Sequence, residues 1–183
     1  MIGNTINLRF DLEKAIQASR ELLRLEGKPM GRLRLLKLLY AANRRCIRQT
    51  GFPMLMARAV AMDNGPLHSE VLDAINGQYH RWGEFFRNEG DLVCAIGEPG
   101  TERLSDFDAD ALRIEWESFG PYDDATIIVM LHSLPEYIAN YRAGTSTTIP
   151  LESILDAVGR GSDVATIIDS LLSFQEMQGE LSH

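Results

Sequence analysis

Chemistry in a protein needs ionisable or nucleophilic groups held in pairs or clusters, and this sequence offers few such sets. His68 and Glu70 stand two residues apart just after Gly65-Pro66, near enough in the chain for an acid–base pair. Asp106, Asp108, Asp110 and Glu117 fall at positions 1, 3, 5 and 12 of a calcium loop. That loop demands glycine at position 6, where this chain has Ala111. The same acids suit the first turn of a helix, where carboxylates complement the dipole, and that reading is preferred. The histidines His68, His80, His132 and His183 show neither H-E-x-x-H spacing nor a Cys-x-x-Cys partner, so no zinc site is expected. Gly159-Arg160-Gly161-Ser162 lacks the lysine and the preceding strand of a phosphate cradle and reads as a hinge between helices. There is no G-x-S-x-G elbow. No catalytic residue, metal ligand or cofactor is expected.

Binding is a better prospect. Arg34, Lys37, Arg44, Arg45 and Arg48 share one strip of a helix predicted over Leu33–Ile47. The rest of that helix is apolar across roughly 200°, about twice what a surface helix needs. It therefore reads as a central helix with neighbours on two or three sides and a single basic edge. The strip either engages something anionic or, as the plainer reading, is a solvated face or pairs with acids elsewhere in the same fold. Trp82, Phe85 and Phe86 likewise form either an interface cluster or core, with core preferred.

The totals bound these readings. The chain has 183 residues, 45% hydrophobic and 24% charged, which fits one ordinary domain or one domain with an appendage. Net charge is −8, unevenly spread: residues 1–60 hold 12 Lys/Arg against 4 Asp/Glu, and residues 61–183 hold 6 against 22. The acidic excess makes nucleic acid an unexpected partner for the whole chain. Two distant cysteines, Cys46 and Cys94, suggest reduced thiols and a cytoplasmic protein. The first ten residues lack a positive start followed by an apolar core, so no leader is expected, and no apolar run is long enough for a membrane span.

Breakers and caps divide the chain. Asp11 caps a first helix ending at Gly27, and Met30-Gly31 connects it to the central helix, which stops at Gly51. Leu55–Met62 and Asp91–Ile96 read as two short strands that pair with each other. Asp63-Asn64-Gly65-Pro66 is a turn, with Pro66 suited to the first position of a third helix. Tyr79–Phe86 is short and partly helical. Ser105 and Asp108 form a capping box for a fourth helix reaching Gly120. A fifth, Asp123–His132, is nearly all apolar over Ala125–Leu131 and is expected to be buried. Ala143–Thr148 reads as a linker to two amphipathic helices, Leu151–Val158 and Ser162–Met177.

Four stretches in order resemble the Panacea domain, the SocA-like antitoxin family. The leading K-L-L-Y helix is matched by Leu35-Leu36-Lys37-Leu38-Leu39-Tyr40. Ala61-Met62-Asp63-Asn64-Gly65-Pro66-Leu67 is similar to the family's A-W-x-x-G-P-V turn and is followed by Glu70-Val71-Leu72. Leu104-Ser105 leads into Trp116-Glu117-Ser118-Phe119-Gly120, and Leu131–Glu136 resembles the family's threonine-histidine segment through His132. Met62, Leu67 and Leu72 stand where many members have Trp, Val and Tyr, apolar for apolar. The resemblance covers roughly residues 12–160.

It implies an antitoxin, met also in phage-associated proteins, that neutralises a cognate toxin by direct binding. In the SocA-type version the protein is instead an adaptor that delivers the toxin to a ClpXP-type protease. Neither role needs catalysis or a cofactor, no membrane is involved, and a homo-oligomer is left open. A regulator binding nucleic acid through the basic strip is the alternative. Expected partner-binding residues are Arg44, Arg45, Arg48, Asn64, Gly65, Pro66, His68, Glu70 and Trp82. The expected fold is mainly α: a single compact helical domain around a buried central helix, with a small antiparallel β element. Residues 1–143 would form the Panacea-like domain and residues 144–183 a C-terminal helical extension.

Overall fold

Helix α1 (Leu12–Glu26) begins where the Asp11 carboxylate accepts the Lys14 amide and ends where Gly27 turns left-handed at φ 71°. The computed structural model to which it belongs describes residues 6–180. Met30–Gly31 is a two-residue strand, β1, rather than a bare connection. The central helix, α2 (Arg32–Thr50), closes on Gly51, whose φ is 84° and whose amide reaches the Ile47 carbonyl.

Strands β2 (Ala59–Met62) and β3 (Gly65–His68) form a hairpin with Met62 opposite Gly65. The stretch that reads as a helix-opening breaker thus closes a hairpin, with Asp63 and Asn64 between the strands and Gly65 in the left-handed region at φ 93°. Pro66 sits in β3, not at the start of a helix, and the missing N–H is tolerated because β3 is an edge strand. The third helix, α3 (Ser69–Ile75), starts only after the strand. A short turn of helix, α4 (His80–Gly83), precedes β4 (Phe86–Glu89) and β5 (Leu92–Ala95), which form a second hairpin.

The expected pairing of Leu55–Met62 with Asp91–Ile96 does not form. β5 lies between β4 and β1, and β2 lies between β3 and β6 (Thr147–Thr148), so neither has a free edge for the other. The stretch expected as a linker therefore contributes a strand: Thr148 stands opposite Val60 and Thr147 opposite Ala61.

Helix α5 (Asp106–Phe119) opens with the complete Ser105–Asp108 capping box. Helix α6 (Asp124–His132), capped by Asp123, differs from expectation: only Ile127 and Leu131 are buried, while Val129 is 68% and Met130 38% exposed. It meets β3 and α2 on one side; Val129 is turned outward, while Met130 stands at the margin beside α2. Helix α7 (Pro135–Asn140) follows at once. Helix α8 (Leu151–Ala157), a 3₁₀ turn (Gly161–Asp163) and α9 (Val164–Glu180) complete the described chain, which is mainly α with two small antiparallel sheets. None of the described helices is long and apolar enough to cross a membrane.

Two apolar clusters meet at α2. Leu35, Leu36, Leu38, Leu39 and Cys46 join α1, α3 and α5 in the larger one. Tyr40 and Ile47 join Ala59, Ala61, Ile149, Leu155, Ile167 and Leu171 in the smaller. The contact at the end of α2 is close: a Cβ on Gly51 would stand 2.6 Å from Ile167 Cδ1. Arg160, in the expected hinge, donates to the Arg48 and Gln49 carbonyls at 2.7 and 2.6 Å and so satisfies the end of the helix.

These contacts separate two glycines of similar φ. Gly27→Ala meets open space and bears only the left-handed strain, about 1–2 kcal/mol. Gly51→Ala adds displacement of the buried Ile167 and should lower stability further, as read by urea denaturation of both variants.

Candidate functional site

An amphipathic helix packed on most of its circumference must give its inward polar groups partners, because an unpaired one costs on the order of 1–3 kcal/mol. Lys37 is the extreme case. The basic strip was expected to lie on an open edge, yet this lysine is fully buried and its Nζ donates to the Pro66 carbonyl at 2.9 Å. With no carboxylate bonded to it, burial brings its pKa down to about 7. Gly65 has a φ of 93°, which favours glycine, and a Cβ there would also stand tightly, 3.3 Å from Lys37 Nζ and 3.4 Å from His132 Cδ2. His132 stacks on Tyr137 with ring centres 4.7 Å apart, and the Tyr137 hydroxyl donates to the Met62 carbonyl at 2.9 Å. Three separate stretches of the sequence, around Lys37, Gly65-Pro66 and His132, thus converge on one buried place.

Nearly two turns further along α2, Asn43 holds two neighbours. Its Oδ1 accepts the Leu55 amide at 3.0 Å, which orients Nδ2 toward His68 Nε2 at 3.1 Å. His68 is enclosed, and burial pushes its pKa down to about 4, so the imidazole is neutral. Glu70 is engaged elsewhere: its carboxylate accepts the Arg58 amide at 2.9 Å and the Ser69 hydroxyl at 3.0 Å. The acid–base pair suggested by spacing therefore has no geometry.

The third set is a buried carboxylate. Glu136, with a fully buried side chain, accepts from Arg44 at 2.5 and 3.2 Å and from the Tyr40 hydroxyl at 3.1 Å. Burial first, and then this carboxylate, hold the Tyr40 pKa well above its ordinary value.

The strip's other cations answer the acidic half of the chain. Arg34 pairs with Asp124 at 2.9 Å and also donates to the Tyr122 carbonyl; Arg45 pairs with Glu115 at 2.6 Å. Arg48 alone of the five is exposed with no side-chain partner among the described residues. Beside it runs a furrow of about 180 Å³ between α2 and the α5–α6 ends, bounded by Arg44, Arg45, Arg48 and Met130 and floored by Phe119 and Leu131.

The remaining sequence candidates are dispersed. Asn64 is exposed at the hairpin tip, while Gly65 and Pro66 are buried beneath it. Trp82 is 3% exposed and packs on Phe86 at 4.4 Å in the larger core, and Trp116 donates to Glu26 at 2.8 Å. Three of the four acids that imitated a calcium loop are engaged with cations: Asp108 with Lys14, and Asp110 and Glu117 with Arg113. Among the described residues no cluster of His, Cys, Asp or Glu is arranged to hold a metal ion; His183 lies outside them. Sequence reasoning passed over Asn43, although an amide inside an apolar arc is itself a signal of a polar core contact. Glu136 carried no such signal, since its partners are 92 and 96 residues away.

Two measurements test this network. Arg44→Met strands the Glu136 charge and should cost about 3–5 kcal/mol in denaturant unfolding, with part of the loss recovered in Arg44→Met/Glu136→Met. A base whose pKa falls on folding carries fewer protons folded than unfolded between the two values, so stability rises with pH there. The Lys37 contribution is complete above its ordinary 10.5 and is lost as pH falls to about 7. Between those limits the stability of the wild type should climb relative to Lys37→Met, by at most about 1.4 kcal/mol per pH unit. Parallel profiles for the two proteins would show that Lys37 does not titrate as its burial requires.

Nothing among curated proteins or solved structures matches this chain. A family model, described as antitoxin SocA-like, Panacea domain, matches residues 35–137, from the first buried leucine of α2 to the tyrosine stacked on His132. That span is more than half of the sequence and contains all three polar sets around α2, and the chain belongs to the SocA-like antitoxin, Panacea-domain family.

Proposed function

We propose that the protein is an antitoxin that neutralises a cognate toxin by direct protein–protein binding, without a chemical step of its own. Membership of the antitoxin family across residues 35–137 carries this reading. The fate of the polar groups supports it. His68 is walled in, Glu70 holds a backbone amide, and Lys37 is spent on the Pro66 carbonyl. Such groups organise a scaffold. Capture of a protein partner needs instead a surface with unmet apolar area, and α6–α7 provides it through Val129, Met130 and Ile138.

Binding to nucleic acid through the basic strip is the weaker reading. Phosphate tracking uses several free cations, and three of the five in the strip face carboxylates while Lys37 is buried.

Co-expression with the protein encoded by the adjacent gene is the test. Restored growth, with the toxin retained at full level in a complex with this chain, is expected. Growth restored through protease-dependent loss of the toxin would replace blocking by delivery to a ClpXP-type protease. Unrelieved arrest without complex formation would overturn the antitoxin reading.

A further inference from the structure

The furrow beside Arg48 joins two features that are each ordinary alone. Exposed apolar residues are common on any surface, and one unpaired arginine is not a site. Here they adjoin. Met130 lines the furrow together with Leu134, and Ile138 stands one turn beyond Leu134, its amide bonded to the Leu134 carbonyl. Ile138 is 63% exposed, so the apolar strip continues outward from the furrow. On the opposite wall Arg44 and Arg45 are neutralised by Glu136 and Glu115, which leaves Arg48 as the uncompensated charge. A cation at the rim of an apolar trough is complementary to a carboxylate on an apolar segment, and the charge-assisted bond between them is stronger than a neutral one. Methionine fits side chains of varied shape, and arginine is enriched among the residues that dominate interfaces.

We propose that this furrow receives the toxin, and that the occupant is an apolar segment of that protein carrying a carboxylate, its side chains over Leu131 and Leu134 and its charge on Arg48. This rests on the antitoxin reading above. The furrow also lies wholly within residues 35–137. A second apolar groove, lined by Phe52, Phe107, Phe174 and Met177, depends on α9 outside that span and serves as the internal control.

The experiment measures affinity between the purified chain and the protein encoded by the adjacent gene, by calorimetry, for the wild type and for Arg48→Glu, Met130→Asp and Met177→Asp. All three substituted side chains are exposed, so thermal unfolding should stay near that of the wild type. Arg48→Glu and Met130→Asp should each weaken binding about tenfold or more, and Met177→Asp should leave it unchanged. Reversal of one acidic residue of the toxin to arginine should restore affinity for Arg48→Glu. Wild-type affinity in both furrow variants, with a complex still formed, would overturn the site and leave the antitoxin reading standing. A wild-type dimer dissolved by Arg48→Glu would make a second copy the occupant and overturn the proposal. No complex with the wild type would overturn both.

Discussion

The burial of α2 between Leu35 and Ile47 is the constraint from which the rest of this structure follows. A helix with apolar residues around most of its circumference must be packed on several sides, and the few polar groups it carries inward must then be answered by the protein itself. Lys37 obliges the β2–β3 hairpin to present a carbonyl, from Pro66, beside Gly65, whose left-handed φ of 93° favours glycine. Asn43 ties down the segment before β2 and faces His68. Tyr40 and Arg44 draw Glu136 into the interior and so hold α7 against the helix. The apolar clusters supply most of the stabilisation, and the polar contacts decide which arrangement of the surrounding elements is compatible with it.

Local signals carried this fold well. Asp11, Ser105 and Asp123 each cap the helix they precede, and Gly27 and Gly51 end theirs in the left-handed region. The wide apolar arc of α2 identified the centre of the core. Partner choice between strands was illegible because strands of two to four residues have no side-chain pattern long enough to specify a neighbour. The exposure of α6 was hidden for a related reason: a nine-residue helix that is nearly all apolar over Ala125–Leu131 does not say which face meets the core. At the candidate site, the internal ion-pair reading of the strip was correct for Arg34, Arg44 and Arg45. Arg48 became distinct only once its neighbours had found carboxylates. Lys37 was misplaced because charge alone argues for an edge, and only the hairpin packed above it shows otherwise.

The polar interior and the apolar exterior divide the labour. Groups that resemble catalytic candidates in the sequence are consumed in fixing the scaffold. Residues of an ordinary core type, Val129, Met130 and Ile138, are turned outward on helices that pack against α2, β3 and α8. A protein that works by covering a partner needs this distribution, because a rigid surface loses little entropy when it docks. The residues that follow β6 reinforce the same helix from its far end, through the Gly51–Ile167 contact and the Arg160 bonds to the last carbonyls.

The ion pairs of α2 also set a timetable. Arg34, Arg44 and Arg45 meet acids 90, 92 and 70 residues later in the chain. During synthesis the first 60 residues therefore emerge strongly cationic, with the apolar arc of α2 uncovered and its counter-charges not yet made. Long-range pairing of this kind raises contact order and slows folding, and the interval is one in which a nascent chain is prone to aggregate. The helix that forms the centre of the finished molecule is made early but cannot be buried until α5, α6 and α7 have left the ribosome.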